Sequence, residues 1–397
     1  MSEPATFMPA AEWSTRKDLA RLIGALGDGQ ARYVGGAVRD TLLGADVQDI
    51  DLATPLAPVE VIARLDAAKI RSVPTGIAHG TVTAILDSGN VEITTLRRDV
   101  ATDGRRAEVV FASDWREDAA RRDFTINALY ADPQTHEVFD YFGGLRDLAA
   151  RRIRFIGDAH ERIREDHLRI LRYFRFQARF GSDPADEKAE QACHELRATL
   201  AELSRERVGW ELQNLLALRD PAPTVARMAE LGVLGVILPE ARAQPLADLV
   251  AAEAGQHIAP DPIRRLAALL PADPAQADAV AARLRLSNTQ RKRLAAAAAR
   301  GDALPTADAN AARALAYKLG RDGALDRLLL VGSDTSAIAD WDIPVFPLKG
   351  GDLVAAGVAE GPRVSRLLRK IEAQWIAEGF PEEARVSALL EAELARS

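Results

Sequence analysis

The chain has 397 residues, 48% of them hydrophobic and 27% charged, and a formal net charge of −7. That length suits about two to four domains with a substantial core, and the acidic balance gives no chain-wide signal for nucleic-acid binding. A single cysteine, Cys193, excludes an intrachain disulfide and argues against a cysteine-based zinc site; no apolar run approaches the ~20 residues that cross a bilayer.

The first residues, MSEPATFMPAAEW, lack the basic segment and apolar core of a secretory signal. A reducing cytoplasm is the expected location. Residues 1–30 read as a leader and one helix over 13–26. From 31 to about 150 strands and helices mix, with strands expected at 32–34, 50–53, 81–86, 91–95 and around 139–141, punctuated by glycine and proline. Beyond about 151 the strand signal stops and Leu, Ala and Arg recur at helical spacing. The Ala-rich run 294–300 is a strong helix former. Breaks at 183–184, 220–223, 259–262 and 271–274 are expected to separate helices or subdomains, and no internal repeat is visible.

Residues 35–54 read GGAVRDTLLGADVQDIDLAT. Gly35 and Gly36 follow the apolar pair Tyr33 and Val34, Arg39 comes three residues after Gly36, and Asp49 and Asp51 bracket an isoleucine. Glycines let a backbone approach phosphate oxygens, and a helix starting there offers unpaired N–H groups and a positive dipole end to an anion. Two aspartates two apart on a strand share a face, and side by side they repel unless a cation such as Mg²⁺ lies between them. Alone, a Gly-Gly pair is a turn and Asp-Ile-Asp a solvated strand end. Together within one strand–helix–strand unit they point to a nucleoside triphosphate and its metal.

Glu92, in VEITTLRR at 91–98, is expected on a strand able to run beside the Asp49–Asp51 strand. It is either a third carboxylate at the metal site or the partner of a neighbouring arginine. His79, in GIAHGTVT at 76–83, reads as a hydrogen-bonded structural residue. TDGRR at 102–106 reads as an exposed loop. RRDFTINALY at 121–130 reads as two arginines and an acid before an apolar helix, with Asp123 a candidate cap. FDYFGGLRDL at 139–148 reads as a turn before a helix. In EDHLRILRYFRF at 165–176, Asp166, Arg169, Arg172 and Arg175 recur every three residues along one helix face, over a buried side of Leu168, Ile170, Leu171 and Phe174. The stretch 151–179 holds nine arginines against four acids, and arginine suits bidentate contacts to phosphates or bases.

GGAVRD followed by LLG and DID, with RRDFTINALY and EDHLRILRYFRF, resembles the signature set of the polymerase-β-type nucleotidyltransferases. More narrowly, it is similar to the class II tRNA CCA-adding enzymes and bacterial poly(A) polymerases. The resemblance is strong over 31–211 and weak over 212–397. It implies an α+β head, a small mixed sheet with helices, followed by an all-α neck, body and tail. The expected division is 1–30 leader and helix, 31–148 catalytic head, 149–215 neck with nucleobase recognition, and 216–397 body and tail facing tRNA.

The resemblance also implies roles. Asp49 and Asp51 would hold two Mg²⁺ ions, with Glu92 beside them, in an in-line phosphoryl displacement. Gly35, Gly36 and Arg39 would border the nucleotide. Arg122 would contact the triphosphate; Asp123 would orient arginines or the ribose; Asn127 would hydrogen-bond near the sugar or stabilise the turn. Asp166 and Arg169 would read the Watson–Crick edge, an acid accepting from an exocyclic amine and a guanidinium donating to a ring acceptor. That template accepts C and A and rejects G and U. Arg172 and Arg175 would support it or bind phosphate. The loop at 102–106 would influence the switch from C to A addition, and the glycines of 139–148 would let the head move. LSRERVGWE at 203–211 resembles the neck motif, with Ser204 an N-cap and Arg207 and Glu211 as buttresses. Gly361–Pro362 would start a helix whose amides either hold RNA phosphates or do nothing more than begin the helix.

No His-Asp dipeptide occurs, so an appended phosphohydrolase domain is not expected. The implied activity is addition of the tRNA 3′-terminal CCA from CTP and ATP, with tRNA as partner and the enzyme a cytoplasmic monomer or homodimer. Poly(A) polymerase and a partial CC- or A-adding enzyme are the alternatives.

Overall fold

The computed structural model describes residues 5–102, 107–112, 114–300 and 308–395. The chain divides into two compact units: Met1–Leu203 with Glu230–Ile237, and Ser204–Ala229 with Leu238–Ser397.

The first unit is built on ten strands: β1 (Thr6–Phe7), β2 (Arg32–Val34), β3 (Ile50–Thr54), β4 (Arg71–Gly76), β5 (Thr81–Leu86), β6 (Gly89–Thr95), β7 (Arg97–Thr102), β8 (Ala107–Phe111), β9 (Leu129–Ala131) and β10 (Glu137–Asp140). Eight form one mixed sheet in the order β1-β10-β9-β2-β3-β6-β5-β4, while β7 and β8 pair separately. Among the described residues the β3–β6 pairing is the one parallel pairing in the large sheet, and it sets Asp51 opposite Glu92. A parallel pair needs a long crossover, here supplied by the helix Pro58–Ala67 and the β4–β5 hairpin.

Among the described residues up to Leu203 the helices accompanying these strands are α1 (Lys17–Leu26), α2 (Gly36–Leu42), α3 (Pro58–Ala67), α4 (Trp115–Ala120), α5 (Gly144–Ala149), α6 (Ala159–Glu165), α7 (Arg169–Phe180) and α8 (Glu187–Leu196), and the helix Val233–Ile237 belongs to the same unit. In α1, Leu19, Leu22, Ile23 and Leu26 recur at helical spacing and are all buried. α1 packs against α3, and α3 against β4 and β5. A second cluster of Val34, Ala53, Leu96, Ala128 and Tyr130 lies under Trp115 and Phe139.

α7 buries Ile170, Leu171, Tyr173, Phe174, Phe176 and Phe180. Phe124 lies 5.2 Å from the Phe176 ring and 4.9 Å from Phe155, and Phe155 stacks on Tyr173 at 5.8 Å. This aromatic cluster fixes the 121–127 segment against α7, each ring burying a large apolar area.

Among its described residues the second unit contains helices and no strand. Ser204 caps helix Arg205–Leu216 by accepting from the Arg207 amide, as its sequence position predicts. Its centre is an ion network: Glu253 bridges Arg264 and Arg265 at 2.7 and 2.8 Å, and Arg293 grips Asp326 through two bonds. Helix Pro362–Ala377 starts at the expected glycine-proline pair.

Three local expectations are corrected. Residues after Asp123 do not form a helix: Thr125–Asn127 is a 3-10 turn and Leu129–Ala131 is strand β9, in the middle of the sheet. Pairing with β10 and β2 satisfies the backbone there and overrides local helical preference. Asp166 is not on the arginine helix; it ends α6, and α7 begins at Arg169. The 13–26 helix is broken at Arg16, whose extended backbone (ψ 130°) separates a 3-10 turn from α1. Of the 102–106 loop, residues 103–106 lie outside the described residues.

Candidate active site

β2 ends at Val34 and turns at Gly35, whose φ of 67° and ψ of −119° suit glycine. The Gly35 amide donates to the Leu129 carbonyl at 3.1 Å, tying the turn to β9. A side chain at Gly35 would meet the Asn127 carbonyl at 3.5 Å and Arg122 Nη1 at 3.6 Å. The glycine turn, the RRD segment and the sheet centre therefore converge.

Asp51 lies in β3, half-buried; Asp49 sits just before the strand and is exposed. In the parallel pairing, Asp51 and Glu92 are direct partners, so their side chains leave the sheet on the same face. Burial, the nearby Glu92 charge and, less strongly, Asp49 push the Asp51 carboxyl up to about 6, against a lowering pull from Arg122. Among the described residues no three acidic or histidine side chains already gather their donor atoms around one point. By donor chemistry the residues nonetheless fit a hard divalent cation: Asp51 and Glu92 offer carboxylate oxygens on one sheet face, with the Asp49 charge near Asp51, and Arg122 offsets only part of their repulsion.

Arg122 is held by a residue the motif reading passed over. Asp118, 1% exposed, accepts from Arg121 Nε at 2.8 Å, Arg122 Nη2 at 3.1 Å, Tyr130 Oη at 2.6 Å and the Arg97 amide at 3.3 Å. Burial opposes its charge, but Arg122 and Arg121 outweigh burial and hold the carboxyl down to about 2. Tyr130 Oη in turn accepts from Arg122 Nε at 3.1 Å. The only sequence signal for Asp118 was its spacing of three and four from two arginines on a short helix.

Asp123 is buried beside Asn127. Its Oδ1 accepts from the Phe124 amide at 2.8 Å and Asn127 Nδ2 at 2.9 Å; its Oδ2 accepts from Arg172 Nε and Nη2 at 2.8 and 2.6 Å. Burial disfavours its charge, yet Arg172 and these donors hold its pKa below the ordinary value. Arg39 Nη1 donates to Asn127 Oδ1 at 2.6 Å. This fixes the amide orientation, because a flipped Asn127 would set donor against donor and acceptor against acceptor. Asp123 thus pairs with Arg172, and Asn127 bridges Arg39 and Asp123.

Arg169 is fixed from three sides. Its Nη1 reaches Glu165 Oε2 at 2.6 Å and the Arg162 carbonyl at 2.8 Å, and its Nη2 reaches the Arg121 carbonyl at 3.0 Å. Asp166 Oδ1 accepts from the Leu168 amide at 3.2 Å. The guanidinium of Arg175 lies 4.9 Å from the Phe176 ring centroid. Gly143 and Gly144 answer a packing need: a side chain at Gly144 would come within 2.3 Å of the Thr125 carbonyl. Asp140 secures that turn by accepting from the amides of Phe142, Gly144 and Leu145. His79 contributes its carbonyl to Arg97 Nη1 at 2.9 Å.

The structure therefore joins Arg39, Asn127, Asp123 and Arg172 in one hydrogen-bonded chain, places Gly35 near Arg122 and Asn127, and sets Asp51 beside Glu92 within electrostatic reach of Asp49 and Arg122.

Residues 31–154 match the family model described as the Poly A polymerase head domain, and 185–244 match that described as the probable RNA and SrmB-binding site of polymerase A. The chain is 35% identical over 381 residues to the mitochondrial CCA tRNA nucleotidyltransferase 1 of Mus musculus, covering 89% of this chain and 84% of that protein. It is 43% identical over 190 residues to the CCA-adding enzyme of Leuconostoc citreum (strain KM20), covering 47% of this chain and 45% of that protein. Its fold matches the crystal structure of Bacillus stearothermophilus CCA-adding enzyme in complex with CTP with a TM-score of 0.74 at 26% identity, over 96% of this chain and 98% of that one.

Proposed function

The chain belongs to the CCA tRNA nucleotidyltransferase family, and we propose that it builds or repairs the 3′-terminal CCA of tRNA from CTP and ATP without a nucleic-acid template. The observation that carries this reading is the placement of Asp51 and Glu92 as partners on one sheet face, with the Arg122 charge acting on Asp51. The mouse relative bears this activity in its name, and the Bacillus structure holds CTP.

In the reaction, the RNA 3′-hydroxyl oxygen bonds to the α-phosphorus of the nucleotide, the bond to the β-phosphate oxygen breaks, and pyrophosphate leaves. Asp49 and Asp51 would hold the Mg²⁺ pair, which when bound neutralises triphosphate charge and acidifies the attacking hydroxyl. Arg122, kept cationic by Asp118 and Tyr130, binds the triphosphate. Asp166 and Arg169 read the base edge, with Glu165 and two carbonyls holding the Arg169 fork in place. Binding energy from a matching base is thereby spent on orientation at the reacting phosphate.

Within this reading, 31–148 is the catalytic head, 149–215 the neck and 216–397 the body and tail along the tRNA, with the enzyme working in the cytoplasm. No helix among the described residues is long and apolar enough to cross a membrane.

The test is extension, at single-nucleotide resolution, of a tRNA lacking its CCA end, with Mg²⁺ and CTP, ATP or both. Three added residues ending in A are expected. A long A ladder needing no CTP would make the protein a poly(A) polymerase, and a stop after CC would make it a partial enzyme.

A further inference from the structure

The carboxylate strands β3 and β6 divide the large sheet into two sides. In the order β1-β10-β9-β2-β3-β6-β5-β4, the glycine turn leaves from β2 and Arg122 is bonded to Tyr130 of β9, so the groups read as phosphate-binding lie on one side. β5 and β4 lie on the other. Nucleotidyl transfer is an in-line displacement, in which the attacking oxygen enters opposite the leaving group. With the triphosphate on the β2–β9 side, the RNA 3′-hydroxyl must reach Asp51 and Glu92 from across β5 and β4.

Over those strands the same sheet face carries hydroxyls. Thr83 of β5 is the direct partner of Glu92, and Thr81 is that of Thr94. Directly paired residues project from one face, so Asp51, Glu92 and Thr83 form a row across three strands, each about 4.8 Å from the next. Thr75 of β4 extends the row, its hydroxyl 2.8 Å from that of Thr83. The hydroxyls of Thr81 and Thr94 lie 3.3 Å apart beside it. Thr83 is 6% exposed, while Thr75 is open to solvent. The opposite face of these strands is apolar, with Val82, Ala84, Val91 and Ile93 all buried.

Each threonine hydroxyl has one proton to donate and two lone pairs. The bond between Thr75 and Thr83 uses one proton and one lone pair, which leaves one O–H and further lone pairs for a ligand. A pair that both donates and accepts suits another hydroxyl better than it suits a phosphate, which only accepts. In RNA the hydroxyl next to the attacking 3′-oxygen is the 2′-hydroxyl of the same ribose, the group by which a protein tells RNA from DNA. With the 3′-oxygen beside Glu92, that neighbour falls within one strand spacing, where Thr83 stands.

We infer that the Thr75–Thr83 pair holds the 2′-hydroxyl of the acceptor's terminal ribose, and so selects an RNA 3′ end and sets its 3′-oxygen beside Asp51 and Glu92. The inference rests on the nucleotidyl-transfer reading above and assigns an acceptor subsite to strands that carry none of the nucleotide-binding residues.

The experiment uses the full chain with Mg²⁺, CTP and ATP, and tRNA lacking its CCA end whose last nucleotide carries either ribose or 2′-deoxyribose. It reads kcat/KM for each tRNA, KM for CTP and ATP, and the affinity for each tRNA without nucleotide. The wild type is expected to favour the ribose end by about fivefold. Thr83→Val and Thr75→Val are expected to bring the ribose end down to the level of the deoxyribose end, with KM for CTP and ATP unchanged. Thr83→Ser keeps the hydroxyl and should keep the preference. Should Thr83→Val fail to fold, Thr75→Val, on the exposed edge strand, decides the matter. An equal loss on both ends overturns the inference in favour of a purely structural pair. A raised KM for CTP and ATP with the ribose preference intact overturns it in favour of a nucleotide contact, and a wild type indifferent to the 2′-hydroxyl overturns it outright. Failure of the CCA-adding reading would appear in the wild-type product, as an A ladder, a stop after CC or no extension. The affinities for the two tRNA ends would still test the threonine pair.

Discussion

Asp51 and Glu92 stand opposite each other across the parallel β3–β6 pairing of the large sheet, and the proximity of Glu92 is one cause of the raised Asp51 pKa. A protein that keeps two carboxylates adjacent at its sheet centre pays in stability unless positive charge arrives. That cost is measurable.

The Asp51 carboxyl has a folded-state pKa of about 6, above its ordinary value of 3.8. The folded protein therefore holds the proton more tightly than the unfolded chain. The stabilisation is complete below about pH 4 and is lost as pH rises through about 6, a difference of about 3 kcal/mol. Thermal unfolding of metal-free protein should show Asp51→Asn more stable than wild type at pH 8, with the advantage gone at pH 4. Mg²⁺ should raise the Tm of wild type and not of the variant, and Asp51→Asn should have lost nucleotide transfer while retaining tRNA binding. Equal Tm values at pH 8 would sink the uncompensated-cluster argument.

Asp118 gathers Arg121, Arg122 and Tyr130 while remaining 1% exposed. Removing its charge leaves two half-buried cations without their partner, a loss of about 1–3 kcal/mol. Asp118→Asn is expected to lower Tm and to raise KM for both CTP and ATP by about tenfold, because Arg122 loses its fixed orientation. The check is steady-state kinetics beside thermal melts; a KM that stays at the wild-type value would detach Arg122 from triphosphate binding.

Gly35 and Gly36 are adjacent but not equivalent. Gly35 has φ 67°, whereas Gly36 opens helix α2 without a positive φ, and its nearest neighbour to an added methyl is Arg39 Nη2 at 3.7 Å. Gly35→Ala is expected to cost about 1–3 kcal/mol in backbone strain, since the added methyl itself would make only ordinary contacts with the Asn127 carbonyl and Arg122. Gly36→Ala should unfold at nearly the wild-type temperature. Paired urea titrations decide it, and equal midpoints for the two variants would refute the assignment of strain to Gly35.

Arg169 is aimed by Glu165 and by the carbonyls of Arg162 and Arg121. Arg169→Ala should relax base choice more than it weakens triphosphate binding, and Glu165→Gln should do so to a smaller degree, since only one of the three supports changes. Misincorporation of UTP and GTP measured against CTP gives the answer, and undiminished discrimination in Arg169→Ala would defeat the template role.

Much of the catalytic half was legible in the chain because its signals are local. A glycine pair after an apolar run marks a turn, and Ser204 or Gly361–Pro362 mark helix starts through local chemistry that spans a few residues, whereas of the two aspartates only Asp51 lies on the strand. Strands 32–34 and 81–86 lie where their apolar and β-branched content places them. Strand β4 was missed because Pro74 interrupts its pattern, which an edge strand tolerates. β9 was misread as helix because Leu129, Tyr130 and Ala131 are all buried and show no alternation.

The sequence by itself determined the mixed head, the helical remainder, the carboxylate spacing and the arginine periodicity, all of which are consequences of neighbours in the chain. Tertiary structure decided which of these groups meet. Glu92 reaches Asp51 only through a parallel crossover, Asp118 becomes the seat of Arg122 only when α4 folds against β9, and Arg39 turns inward only because α7 offers it Phe176 and Phe180. Such partnerships depend on packing between segments distant in sequence. Each charged side chain takes the direction in which the folded chain can pair and bury it, and its own motif carries no record of that choice.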